Sequence, residues 1–242
     1  MQHSDILALA GLRVDGRRPN EIRTITHKLG VTQHADGSVY YEQGLNKILA
    51  SVHGPQEPER RQAVGSDDKG TISVQVINAP FSGTDWKKRR AGDKRGVETE
   101  TTIQNTFEGV VLLEQYAKSE IKVVVHVLES DGSTLCAIIN AVSMALMHAG
   151  IAMQDMVVAC SVGMVKQELC LDCTQVEQGG GAAFMPVAVK ARTEDILLFN
   201  LDARLSIANL EGAMEVALDG CRQLRAHLET AIKEYMQLVY NS

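Results

Sequence analysis

No apolar run of about eighteen residues, the minimum for a membrane-spanning helix, occurs anywhere in this chain. Nor does Met1 to Gln33 hold an apolar stretch long enough for a secretory signal. Both absences lead to the expectation of a soluble, intracellular protein with no membrane partner. No linker rich in Pro, Gly and Ser divides the 242 residues. They therefore read as one domain over 1–242, core about 11–240, with room for a sizeable core. The cysteines are odd in number: Cys136, Cys160, Cys170, Cys173 and Cys221. They sit in apolar patterns, which suggests buried free thiols in a reducing compartment rather than a disulfide framework. Cys170-x-x-Cys173 lacks a second Cys/His pair at ligand spacing, and alternation along a strand would send its thiols to opposite faces. No metal or other cofactor is expected. The net charge of −6 gives no general reason to bind polyanions.

What the chain does have is periodicity. Strand-like runs cover Ile22 to Gln33, Ser38 to Gln43, Lys47 to Val52 and Thr71 to Ala79, with an Asp36-Gly37 turn signal between the first two. Ile103, Phe107 and Val110 step at helical spacing within Glu98 to Tyr116. The β-branched run Ile121 to Leu128 reads as a buried strand. Ser133 to His148 is apolar on nearly all sides, as a helix sandwiched in the core would be. Further strands are expected at Met156 to Val165, Leu169 to Cys173, Met185 to Val189 and Ile196 to Leu201. A long amphipathic helix closes the chain from about Ser206 to Tyr240, its stripe running from Ile207 through Leu210, Cys221 and Leu228 to Tyr235. Strands followed by a helix, twice over, predict an α+β fold of two similar strand–helix halves.

Charge is uneven. Lys87-Lys88-Arg89-Arg90-Ala91-Gly92-Asp93-Lys94-Arg95 carries a local +5, beside the only tryptophan, Trp86. Arg60-Arg61 is a smaller basic spot. Such clusters suit phosphate backbones, although a solvated surface loop is the commoner use of a charge run. Ser130-Asp131-Gly132-Ser133-Thr134 joins a predicted strand to a predicted helix. It is either a plain helix cap, the commoner role, or an anion cradle of backbone N–H groups.

Several motifs resemble the RNase PH family, and within it the RNase PH-like subunits of RNA exosomes. They are Leu12-Arg13-Val14-Asp15-Gly16-Arg17-Arg18, Ala35-Asp36-Gly37-Ser38, Glu42-Gln43-Gly44, Gly54-Pro55-Gln56-Glu57 and Leu201-Asp202-Ala203-Arg204-Leu205. The resemblance runs from about Gly11 into the last helix. It implies an RNase PH-like fold, related to ribosomal protein S5 domain 2. It implies a hexameric ring with RNA in a central channel, other RNase PH-like subunits as neighbours, S1/KH cap subunits on one side and a hydrolytic 3′–5′ exoribonuclease on the other. RNA processing and degradation in nucleus, nucleolus and cytoplasm follow from it. Channel residues carry over to Lys94 and Arg95, with Arg89, Arg90, Arg60 and Arg61 in support.

Against phosphorolytic members of the family the chain shows losses. Where they have a metal-binding or acid-donating Asp pair, this sequence has Gln178 and Phe184. Their phosphate loop ends in Arg, whereas Gly132-Ser133-Thr134 here leads to Leu135. A further phosphate-gripping Arg is expected on the preceding helix, yet no Lys or Arg lies between Arg95 and Lys118. An amide has no proton to give at neutral pH, and a phenyl ring neither titrates nor binds a cation. These losses lead to the expectation of an RNA-binding channel subunit that is not itself an enzyme. The alternative is an active phosphate-dependent 3′–5′ exoribonuclease that uses other acids, such as Asp172 or Glu177.

Overall fold

The computed structural model describes residues 12–57, 69–86, 94–165, 168–179 and 183–241. β1 (Ile25–Leu29), β2 (Gly37–Gln43), β3 (Asn46–Gln56) and β4 (Thr71–Asn78) come first, then α1 (Lys94–Glu108). β5 (Glu120–Glu129) and α2 (Thr134–His148) follow. The rest is β6 (Val157–Val165), β7 (Glu168–Leu171), α3 (Gln175–Gly179), β8 (Ala183–Lys190), β9 (Ile196–Phe199) and α4 (Ile207–Asn241). The fold is α+β, as the periodicity predicts.

The first sheet has the order β1-β2-β3-β5-β4. Its neighbours are antiparallel except β4 and β5, which run parallel and are joined through α1. The second sheet, β7-β6-β8-β9, is antiparallel throughout. α2 lies between them, packing on β2, β3 and β5 of one sheet and on β6 and β8 of the other. This explains its composition: every residue from Cys136 to Leu146 is buried, so no face needs to be polar. Asn140, the one amide inside it, is satisfied by β6, accepting from the Ala159 N–H and donating to its carbonyl at 2.8 and 2.9 Å. α4 covers the second sheet through Ala217, Cys221, Leu224 and Leu228. Ile207, at the head of the expected stripe, is 77% exposed and takes no part.

The strand expected over Ile22 to Gln33 is shorter, at Ile25–Leu29, and two element ends and one whole element also differ from expectation. α1 ends at Glu108, ahead of Gly109, and not at Tyr116. Val110 and Val111 are both buried in the loop that follows, and Leu113–Tyr116 forms a separate 3-10 turn. β7 stops at Leu171 because Asp172 is left-handed (φ 52°) and turns the chain. Cys173 therefore leaves the strand alternation and joins Cys170 in one small cluster with Val165 and Phe184, so the two thiols are not on opposite faces. α3 has no counterpart in the sequence reading.

Candidate phosphate and RNA site

Between β5 and α2 the backbone makes two successive left-handed residues, Gly132 (φ 68°) and Ser133 (φ 53°). Position 132 admits only glycine. A Cβ there would come within 2.5 Å of the Gln175 nitrogen and 2.7 Å of the Cys173 oxygen. Ser133 precedes α2 but makes no capping bond. Its hydroxyl instead donates to the Cys173 carbonyl at 2.8 Å and meets the Ser161 hydroxyl. The plain-cap reading of Ser133 is thus corrected: its side chain is spent holding the loop to the 172–175 segment.

The loop amides are left over. Among the described residues, no hydrogen bond takes the N–H of Gly132, Ser133 or Thr134. The carbonyls are turned the other way. Arg23 Nη1 donates to the Asp131 carbonyl at 2.7 Å, and Arg23 Nη2 and Asn46 Nδ2 donate to the Gly132 carbonyl at 3.3 and 2.8 Å. Asn46 Oδ1 also accepts the Asp131 N–H at 2.6 Å. A planar trans peptide carries its N–H opposite its carbonyl. The N–H groups of Gly132 and Ser133 therefore face away from Arg23, just ahead of the first turn of α2. That arrangement suits an anion.

Two buried ion pairs hold the 172–178 segment, one of them joining it to this loop. Arg23 forks onto Asp172, with Nε to Oδ2 at 2.8 Å and Nη2 to Oδ1 at 2.6 Å. Arg13 forks onto Glu177 and donates to the carbonyls of Leu171 and Asp172. Burial opposes the charge on Asp172, but the Arg23 fork outweighs it and holds the carboxyl below its ordinary value. Asp172 and Glu177 are thereby committed to structure and do not supply the alternative acids that the sequence offered. Asp131, whose Oδ1 accepts the Gln175 N–H, is the one carboxylate of the two segments that reaches solvent. The Cys173 thiol, pushed up to about 12 chiefly by burial, stays protonated at neutral pH.

Gln178 is half-buried on α3. Phe184 pairs with Gly163 across β8 and β6 and packs against Val165, Cys170 and Cys173. The metal that the family resemblance implies does not fit these positions: one is an amide and the other a packed ring. Among the described residues no three His, Cys, Asp or Glu side chains are grouped to hold a metal ion. Leu135 packs against the core on α2.

Lys94 and Arg95 open α1 and are exposed. No acid of α1 lies in that first turn, and cations there stand at the positive end of a helix dipole. Arg60, Arg61, Arg89 and Arg90 lie outside the described residues. Beside the loop, an open groove of roughly 500 Å³ is lined by Leu45, Lys47, Phe81, Ser82, Ser130 and Asp131, among others. Sequence reasoning missed the anchors Arg23 and Asn46 and gave Arg13 no role. The one available signal was two acids, Asp172 and Glu177, in the stretch 169–178 that has no Lys or Arg of its own, which if buried require cations from elsewhere.

Comparison with known proteins supplies the context for this geometry. The model of the 3′ exoribonuclease family, domain 1, matches residues 21–152, and that of domain 2 matches residues 155–220. Exosome complex component RRP41 of Homo sapiens is 36% identical, over 96% of this chain and 95% of its own length. Exosome complex component Rrp41 of Methanopyrus kandleri is 37% identical, over 93% of each. In fold, rice Rrp46 superposes with a TM-score of 0.80 at 24% identity, covering 91% of this chain and 100% of its own. A chain of the Archaeoglobus fulgidus exosome with RNA bound to the active site gives 0.78 at 19%, covering 90% and 93%.

These matches correct the expectation that the chain is not an enzyme. Both of its halves fall within models of a 3′ exoribonuclease family, and archaeal Rrp41 proteins stand among its relatives. The missing Asp pair at Gln178 and Phe184 does not outweigh membership that extends over nearly the whole sequence. The chain belongs to the RNase PH family of 3′ exoribonucleases.

Proposed function

We propose that this chain is an Rrp41-type ring subunit of an exosome and acts there as a phosphate-dependent 3′–5′ exoribonuclease. The observation that carries the reading is the 131–134 loop, with three unpartnered amides at the start of a buried helix and both preceding carbonyls turned back. Inorganic phosphate seated there attacks the last phosphodiester of an RNA. The new P–O bond forms as the bond to the preceding O3′ breaks. A nucleoside 5′-diphosphate leaves, and the shortened RNA takes a proton at O3′. Preorganised amides stabilise charge that builds on the phosphoryl oxygens. Asp131 is the solvent-accessible carboxyl group beside the loop, 3.6 Å from Arg23 Nη1, and the candidate for passing a proton from water to O3′. Lys94 and Arg95 hold the RNA backbone without reading its bases, with Arg89, Arg90, Arg60 and Arg61 as further contacts.

The assembly expected around it has other RNase PH-like subunits in the ring, S1/KH caps and a hydrolytic exoribonuclease subunit. Its setting is RNA processing and degradation in nucleus, nucleolus and cytoplasm. The test is end-labelled RNA with the complex purified through this chain, with and without inorganic phosphate. Nucleoside diphosphates that appear only with phosphate support the reading. Release of monophosphates alone, or no phosphate dependence, overturns it.

A further inference from the structure

We infer that Arg23 and Asn46 are positioning residues for phosphate: they aim the amides of the 131–134 loop and set its affinity for the anion, without touching the ligand. This rests on the loop being the phosphate seat, and it assigns a role to two residues on the opposite side of that loop.

The geometry is specific. Arg23 is 6% exposed and Asn46 is fully buried, so neither is available to a ligand in solvent. Every hydrogen bond they make to the loop is to backbone, and Arg23 Nη1 also lies 3.6 Å from the Asp131 carboxylate. Arg23 grips the carbonyls of Asp131 and Gly132, and Asn46 grips the Asp131 N–H and the Gly132 carbonyl. Fixing those two carbonyls fixes the two N–H vectors that follow them, because each peptide is planar. A buried cation on the carbonyl side also polarises both peptide units, leaving their N–H groups more positive. Asp172 sets Arg23 in turn, accepting from its Nε, Nη2 and backbone N–H. Arg23 lies in the first matched domain and Asp172 in the second. The clamp therefore ties loop orientation to the seating of one domain on the other.

A purely structural clamp would affect stability alone. A positioning clamp affects phosphate affinity more than RNA affinity. The experiment is calorimetric titration of the assembled complex with inorganic phosphate, beside RNA binding and thermal melting. Asn46→Ala removes both of its loop bonds and leaves the Arg23–Asp172 pair in place. Arg23→Lys keeps the charge but loses the fork. Both are expected to weaken phosphate binding about tenfold, the worth of one well-placed hydrogen bond, with RNA affinity within about twofold of wild type. Asn46→Gln, which retains the donor and acceptor on a longer arm, should recover part of the loss. Lower melting temperature with unchanged phosphate affinity overturns the inference, as does a wild-type complex that binds no phosphate. The two readings separate cleanly. Phosphate bound but no nucleoside diphosphate released defeats the proposed function only. Product released with affinity indifferent to both variants defeats the positioning role only.

Discussion

Asp172 shows how one residue binds structure to pH. It is left-handed, nearly inaccessible and forked by Arg23. Asn tolerates the left-handed region, so Asp172→Asn tests charge and leaves the backbone conformation intact. Removing one partner of a buried pair costs about 3–5 kcal/mol, and that loss is expected in urea melts at pH 7. A carboxyl whose folded pKa lies below its unfolded value, about 3.9, stabilises the protein fully above that value. The contribution is lost as pH falls through the folded pKa. The gap between wild type and variant should therefore narrow below about pH 4. A gap that stays constant from pH 7 to pH 3 would show that the side chain's charge is not what matters.

At the level of elements, the start of α1 carries the RNA prediction. Replacing Lys94 and Arg95 with Glu should leave melting nearly unchanged, since exposed charges contribute little to stability. It should weaken binding of single-stranded RNA to the complex, most strongly at low salt. Losing two phosphate contacts should also flatten the log–log salt dependence by about 1.4, at roughly 0.7 per contact. An unchanged slope would assign these side chains to solvent. Elements with a strong local period were legible in the sequence. The β2–β3 hairpin and α2 fall within a few residues of their expected places, because one alternates and the other is apolar all round. α3 was not legible: five residues hold too little periodicity, and its placement depends on Arg13 reaching Glu177, 164 positions away. The candidate site was legible only in part. Asp131-Gly132-Ser133-Thr134 stands out between two apolar runs. What orients it, Arg23 and Asn46, lies 109 and 86 residues distant and leaves no local pattern. Position 184 shows the same dependence on distant partners. The sequence shows a phenylalanine where the family has an acid, and only the fold shows that it packs against Val165, Cys170 and Cys173.

For the whole molecule, the exposed apolar surface is the argument for assembly. β9 is the outer strand of its sheet, and Ile196 and Phe199 on it are 51% and 43% exposed. Phe81 and Leu45 stand open beside the groove at 67% and 57%. An apolar edge strand is a liability for a lone chain, because its unpaired backbone invites irregular pairing. A ring removes that liability by covering edges with neighbouring subunits, and partner binding then adds stability through mass action. The chain co-expressed with its RNase PH-like neighbours should melt at higher temperature than the chain alone and should aggregate less. Placing Lys at both 196 and 199 should reverse the balance. The isolated variant should stay folded and become more soluble, while its recovery with ring partners falls several-fold. The measurement is size-exclusion chromatography of co-expressed subunits, with circular dichroism to establish that the variant is folded. If the double variant enters the assembly as readily as wild type, the β9 edge is not where a neighbour docks, and the exposed surface near Phe81 and Leu45 becomes the next to test.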